Sequence, residues 1–428
     1  MNAQDKPDLH KKEIEMVQEI GIDLGTTYSV VAALKDGRPV IAENREGNSL
    51  TPSVVHFTEK SEAVVGERAL HMMIARPAYC VWEVKRLMGE DVTAFIHPDT
   101  GRKYSPVEIT SFILKELKEA AEIFFGEPAE SAVITVPAYF DNAARQATGE
   151  AANLAGLKVL RISNEPSMAL RAYMFNHKEI SGIYAVLDLG GGTLDVSIAE
   201  VTEKESRILT SDGDRRRGGT DFTMAVEKLI INEFKKNHKV EFDPADPADA
   251  AFLQDIREKS ERAKRELSKL ESTTIPVMAK GVQVMPELSR SEFGDLTRDC
   301  VDGIREKCQS AIETGVGDIG KLSGIVLAGG ASRMPCIQRM VEDLVGGSVP
   351  VLKDVSADTA IAVGAAIEAY ELAGKPTHFL PIRTMRDVTT FDIGVAAHKL
   401  GDSDPERMFV GCIIPKGTPL PAASWSLR

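Results

Sequence analysis

The sequence predicts an α/β chain built on duplicated strand–glycine-turn–strand units that face each other across a cleft. Three observations carry that expectation. The apolar run 183–187 leads into Leu187-Asp188-Leu189-Gly190-Gly191-Gly192-Thr193-Leu194-Asp195, and a second apolar run, 196–201, leaves it. That is the pattern of a strand, a glycine turn and a returning strand. A second copy, Gly21-Ile22-Asp23-Leu24-Gly25-Thr26-Thr27-Tyr28-Ser29, repeats strand, Asp-Leu-Gly, threonine and strand, the mark of an internal duplication. A third glycine turn, Leu327-Ala328-Gly329-Gly330-Ala331-Ser332-Arg333, follows the apolar stretch 324–327.

Successive glycines let the backbone take positive φ and turn its N–H groups around an anion. A carboxylate just before such a turn repels phosphate unless a hydrated Mg²⁺ lies between them. One copy alone is also what an ordinary hairpin with a flexible tip looks like. Two copies facing each other across a cleft would grip a nucleotide's phosphates from both sides, with Asp23 and Asp188 flanking one metal. No GxxxxGK[ST] occurs, so phosphate binding would rest on the hairpins. Gly315-Val316-Gly317-Asp318-Ile319-Gly320 satisfies GxGxxG, but it follows a helical stretch and precedes a strand, the reverse of the context dinucleotide binding needs.

The length of 428 residues allows two to four domains, and 43% hydrophobic with 27% charged residues is the composition of a folded chain with a sizeable core. A net charge of −13 argues against a general nucleic-acid binder or a binder of anionic membranes. The longest apolar runs fall short of a membrane span. Cys80, Cys300, Cys308, Cys336 and Cys412 lack metal or CxxC spacing and read as reduced thiols of a cytosolic protein. The dispersed histidines make no HExxH, so zinc is not expected.

In order, residues 1–17 are polar and read as a mobile extension. Strands are expected at 29–34, 39–42 and 53–57, then helices at 67–76 and 78–88, the second carrying Lys85. An amphipathic helix at 106–125 precedes a buried strand at 132–137. The helix 142–155 ends on Gly156 as a C-cap. Asn164 is read as the cap of the next helix, with Pro166 in its first turn and Glu165 beside it. After the central hairpin, Gly218-Gly219-Thr220-Asp221 turns into a helix at 222–236, and 237–249 is a proline-broken surface loop. The helix 250–270 is densely charged, with i,i+4 pairs such as Glu258 with Arg262. On it Glu261, Lys264, Arg265 and Ser268 fall on one face. Asp358 opens a last helix, 359–373.

The motifs GIDLGTTYS (21–29), VKRLMG (84–89), ITVPAYFDNAARQAT (134–148), LRISNEPSMAL (160–170), LDLGGGTLDVS (187–197), GGTDF (218–222), ERAKRELS (261–268) and LAGGASRMP (327–335) run in one order over residues 18–375. In them the chain resembles the ATPase domain of the DnaK-type heat-shock chaperones, members of the actin-like ATPase superfamily. The resemblance implies an actin-like ATPase fold, two lobes of duplicated mixed sheet around a nucleotide cleft, followed by a short β fragment. It implies an extension at 1–17, lobe I at 18–177 and lobe II at 178–375, whose last helix returns toward lobe I. A linker at 376–386 and the truncated start of a β-sandwich substrate domain at 387–428 complete the division.

The resemblance further implies ATP or ADP with Mg²⁺ as cofactors, and admits K⁺. Asp23, Glu165, Asp188 and Asp195 would hold the metal, mostly through water. Lys85, Glu165, Asp188 and Thr193 would be the catalytic set, with Lys85 and Thr193 orienting the attacking water. Gly25, Thr26, Thr27, Tyr28, Gly190, Gly191, Gly192, Thr193, Gly218 and Gly219 would line the phosphates. Glu261, Lys264, Arg265 and Ser268 would clamp the adenosine, with Gly329, Gly330, Arg333 and Asp358 on the adenine side. Three positions depart from the family: Ser167 for Thr, Thr220 for Glu near the ribose, and Ala331 for a hydroxyl residue.

The implied function is a slowly hydrolysing, cytoplasmic chaperone ATPase, its nucleotide state controlling substrate and partner binding. Its partners would be a J-domain co-chaperone and a nucleotide-exchange factor, with no nucleic acid and no membrane. Unfolded polypeptide would bind only where a full substrate domain exists. The linker stretch 379–387 carries Pro381, Arg383 and Arg386 where the family has a leucine-rich run, so weak coupling and a rate insensitive to peptide are expected. The alternatives are a small-molecule kinase of the same superfamily, or a nucleotide-exchange or scaffold relative with little ATPase activity.

Overall fold

The computed structural model describes residues 18–244, 246–375, 384–389, 393–398, 408–415 and 417–419. Two sheets are built on one plan. In the first the order is Lys158–Asn164, Ser131–Val136, Glu19–Asp23, Tyr28–Lys35, Arg38–Ile41. The first three are parallel, and the last three form an antiparallel meander. The second repeats it: Val351–Leu352, Gly324–Ala328, Gly182–Leu189, Leu194–Val201, Glu205–Asp214, with the same parallel and antiparallel halves. In each, the first strand of the duplicated hairpin lies at the centre, so both glycine tips emerge mid-sheet. The central strands are buried on both faces, as strands covered by helices must be.

The helix Pro106–Phe125 shows how local sequence fixes an element. Pro106 fills its first position, Ser105 and Glu108 make a reciprocal capping box, and Gly126 ends it at φ +73°. The two lobes also exchange helices. Glu165–Asn176 follows the first sheet but packs beneath the second, in a cluster of Met168, Ala169 and Ala172 with Val186, Ala199 and Val326. Ala360–Leu372 follows the second sheet and packs beneath the first, setting Ala362, Ala366 and Ile367 against Val30, Ala32 and Leu34. The crossing is tight: a Cβ on Gly364 would lie 1.9 Å from the Met168 carbonyl oxygen, and one on Gly21 would lie 2.0 Å from the Ala366 nitrogen.

Several expectations are corrected. Residues 78–88 are not a helix but the strand Cys80–Trp82 followed by a short 3₁₀ turn, Val84–Leu87. Val81 and Trp82 pair with Val55 and Val54, so sheet pairing overrides the apparent helical periodicity. The charged helix spans Pro247–Glu266, because Asp246 caps it and Pro247 starts it inside the expected loop. Glu258 does not pair with Arg262, which turns to Glu266; the Glu258 Oε1 is buried without a partner. The glycine turn at 218 is the start of a longer helix, Gly219–His238. Asn164 occupies an N-cap position without capping, since its Oδ1 accepts from Arg145 at 2.6 Å. The GxGxxG stretch is a helix C-terminus, with Gly317 in the left-handed region at φ +77°.

Of the linker expected at 376–386, residues 376–383 lie outside the described residues. Thr384–Arg386 pairs in parallel with the strand Glu205–Asp214 as a sixth strand of the second sheet. Beyond it, Ile393–His398 and Met408–Ile414 form an antiparallel pair. The expected extension at 1–17 and Cys412's side chain also lie outside the described residues.

Candidate functional site

The two strands of the central hairpin place Asp188 and Asp195 directly opposite each other in register. Asp23 ends the equivalent strand of the other lobe. Glu165, in the first turn of the exchanged helix, projects between them. Oxygens of Glu165, Asp188 and Asp195 all lie within 4.8 Å of one another, and all three residues are buried. Lys85 enters from the 3₁₀ turn and donates to Glu165 Oε1 at 2.6 Å. A helical surface lysine would not reach this far. The αL conformation of Glu83, φ 55°, turns the chain so that Lys85 is only 6% exposed.

Three buried carboxylates and the half-buried Asp23 face the Lys85 ammonium, and the electrostatics register the excess. Burial, then the charge of Glu165, pushes the Asp23 carboxyl up to about 7. Burial and the neighbouring carboxylates raise Asp188 and Asp195 well above the ordinary range. Burial pulls the Lys85 ammonium down, but Glu165, Asp23 and Asp188 outweigh it and hold it above its ordinary value. Both Asp195 carboxylate oxygens are buried without a hydrogen-bond partner. An oxygen-only donor set with surplus negative charge fits a hard divalent cation, Mg²⁺ above all.

The glycine tips meet across the cleft. A Cβ on Gly191 would fall 2.0 Å from Thr27 Oγ1, and one on Gly192 would fall 2.8 Å from Thr26 Cγ2. Thr27 Oγ1 is buried with no partner, as a group awaiting a ligand would be. Gly25 turns tightly, its N–H donating to Ser29 Oγ. Gly190 and Gly191 accept from the amides of Gly219 and Thr220, so Gly218 and Gly219 stack on the hairpin they were expected to assist.

Among the residues expected to clamp an adenosine, Arg265 lies 4.8 Å above the Tyr28 ring, joining the first hairpin to the charged helix. Lys264 is buried and donates to Glu261, Thr223 Oγ1 and the Gly219 carbonyl, at 2.6, 3.0 and 2.9 Å. Glu261 also accepts from Arg265. Ser268 lies in the turn past the helix end at Glu266. Arg333 pairs with Asp358, and a Cβ on Gly330 would come within 2.7 Å of that carboxylate. Ala331 is buried under the turn.

Sequence reasoning did not single out Glu83, Arg86, Tyr139 or Arg257. Glu83 accepts from Arg257 at 2.5 Å and from Thr220 at 3.2 Å, both in the other lobe. Arg86 donates across the cleft to the Gly192 carbonyl. Their signal was adjacency: Glu83, Lys85 and Arg86 belong to one short turn, of which only the lysine was read.

The model of the Hsp70 protein family matches residues 19–403. The chain belongs to the Hsp70 family. It is an actin-like ATPase family, and the duplicated sheets with their exchanged helices are its two-lobed fold. Similar proteins include the chaperone protein DnaK of Thermotoga petrophila, Thermotoga maritima and Thermotoga neapolitana, each 39% identical over 410 residues. Each match covers 94% of this Hsp70 chain and 66% of the relative, so the chain spans just under two thirds of their length. Nucleotide binding, typically with Mg²⁺, is general to this family. No helix among the described residues is long and apolar enough to cross a membrane.

Proposed function

We propose that this chain binds ATP and ADP with Mg²⁺ between its lobes and hydrolyses ATP slowly, as the nucleotide-binding part of a DnaK-type chaperone. The observation that supports it most is the convergence of Asp188, Asp195 and Glu165 from both lobes on one point, with a single lysine against them. Asp23, Glu165, Asp188 and Asp195 would hold Mg²⁺, which when bound neutralises phosphate charge. The glycine tips and Thr26, Thr27 and Thr193 would donate to phosphate oxygens. Lys85 would place a fixed positive charge where negative charge develops in transfer. Glu261, Lys264 and Arg265 would take the adenosine, with Tyr28 and Arg265 parting to admit the base.

The cytoplasm, a J-domain co-chaperone, a nucleotide-exchange factor and unfolded polypeptide follow as the setting and partners of this reading. The kinase and non-hydrolysing alternatives gain no support from the family match. A ligand bound only by the folded cleft raises the melting temperature by mass action. MgADP should therefore stabilise the parent, and Asp188→Ala should remove most of the magnesium-dependent part. Equal stabilisation of both by MgADP would sink the metal site.

A further inference from the structure

The base of lobe I is the edge where its three parallel strands begin, at Glu19, Ser131 and Lys158, which stand in register. Two helices also end there: Pro106–Phe125 leads into Ser131, and Asn142–Leu154 leads into Lys158. Backbone hydrogen bonds tie the chain together at this edge. The Lys158 N–H donates to the Glu130 carbonyl at 2.8 Å, and the Gln18 N–H donates to the Pro128 carbonyl at 2.9 Å. Residues 1–17 therefore join the lobe at the same edge, through Gln18.

The edge is unfinished in two respects. Ile123 and Leu154 are 65% and 63% exposed and Phe124 is 39% exposed, all three in the last turns of those helices. Neither helix has a basic residue in its last turn, where a cation would complement the partial negative charge of the final carbonyls. Glu127 and the exposed Glu130, just beyond the first helix, add charge of the same sign.

The segment that arrives at Gln18 carries what the edge lacks. Leu9, Ile14, Met16 and Val17 are apolar, and Lys11 and Lys12 are cationic. An extended chain spans about 3.3–3.6 Å per residue, so Leu9 can lie about 30 Å from Gln18. Packed helices lie about 8–10 Å apart, which puts both helix ends within reach. Three partly exposed side chains make too small a patch for a free partner, because a specific interface covers about 800 Å² on each side. A tethered segment is held at an effective concentration in the millimolar range, so even a weak contact is occupied.

We infer that residues 9–17 fold back over the base of lobe I and cover Ile123, Phe124 and Leu154 with their apolar side chains. Lys11 and Lys12 then meet the helix C-termini and the carboxylates of Glu127 and Glu130. The segment is a docked cover of the lobe, not the mobile extension its polar composition suggests.

The test is trypsin cleavage of the full chain, followed by intact mass as loss of the first 11 or 12 residues. Lys11 and Lys12 are the sites there, since Lys6 precedes a proline. Cleavage tracks the undocked population. Ile123→Asp and Leu154→Asp should each speed it about tenfold, the equilibrium weight of one buried aliphatic side chain. Met16→Ser should speed it likewise from the other side of the contact. Met16→Ser combined with Ile123→Asp should be hardly faster than either alone, because one contact is lost only once. Ile96→Asp, at an isoleucine 53% exposed in the strand Phe95–Ile96, should leave cleavage unchanged. Cleavage as fast in the parent as in Ile123→Asp overturns the inference, and so does equal acceleration by Ile96→Asp. A parent that sediments as a dimer, dissociated by Ile123→Asp with cleavage unmoved, would mean that a second copy covers the patch, which also overturns it.

Discussion

Lys85 shows how much one side chain carries here. Its ammonium is set among Asp23, Glu165 and Asp188, with Nζ 2.6 Å from Glu165. Removing one member of a buried pair costs about 3–5 kcal/mol, because an uncompensated charge stays behind. Lys85→Ala should therefore lower the ligand-free melting temperature at pH 8, and MgADP should restore most of it by supplying cation charge to the same carboxylates. Nucleotide binding should remain near parental while hydrolysis slows about a hundredfold. Parental hydrolysis by the variant, followed as phosphate release, would show that Lys85 is a structural counter-ion and nothing more.

Elements here are defined by what they cross. The helices Glu165–Asn176 and Ala360–Leu372 meet with backbones almost touching at Gly364 and Met168. A methyl at 364 would overlap a carbonyl oxygen that cannot swing aside, and overpacking of this kind costs typically 1–3 kcal/mol, occasionally more. Gly364→Ala should lower the unfolding free energy by an amount in that range, read as a lower urea midpoint, despite alanine's better helix propensity. An unchanged or raised midpoint would mean the helices slide apart freely. The helix at 250–270 and the apparent helix at 78–88 teach the opposite lesson about local signals. Helical periodicity at 78–88 gave way to pairing of Val81 and Trp82 with strand residues some thirty positions earlier, information no short window contains.

At the scale of the molecule, closure is held by contacts between lobes outside the carboxylate cluster. Glu83 reaches Arg257 and Thr220, Arg86 reaches Gly192, and Tyr28 stacks on Arg265. Arg257 is partly exposed, so solvent weakens its pair with Glu83. Residues in one such network couple by about 0.5–3 kcal/mol. Glu83→Ala and Arg257→Ala should each speed release of fluorescent ADP several-fold, and the double variant should be hardly faster than either. Strictly multiplicative effects on release would show that the two side chains act independently.

Much of this was legible in the chain itself. Apolar runs broken by Asp-Leu-Gly at 21–29 and 187–195 set out two hairpins, because period and glycine placement are local properties. The carboxylates just before those turns marked the acidic cluster for the same reason. What the tertiary structure alone decided was which side chains converge. Glu83 and Arg86 became cross-cleft contacts through the αL turn at Glu83 and the sheet pairing before it. The helix expected at 250–270 ends at Glu266, so Ser268 lies in the turn that follows it. Tyr139 became a buried ring at the junction of the lobes because Gly213, 74 positions away in sequence, left space for it. Convergence of this kind depends on long-range packing, and packing is settled by the whole chain at once.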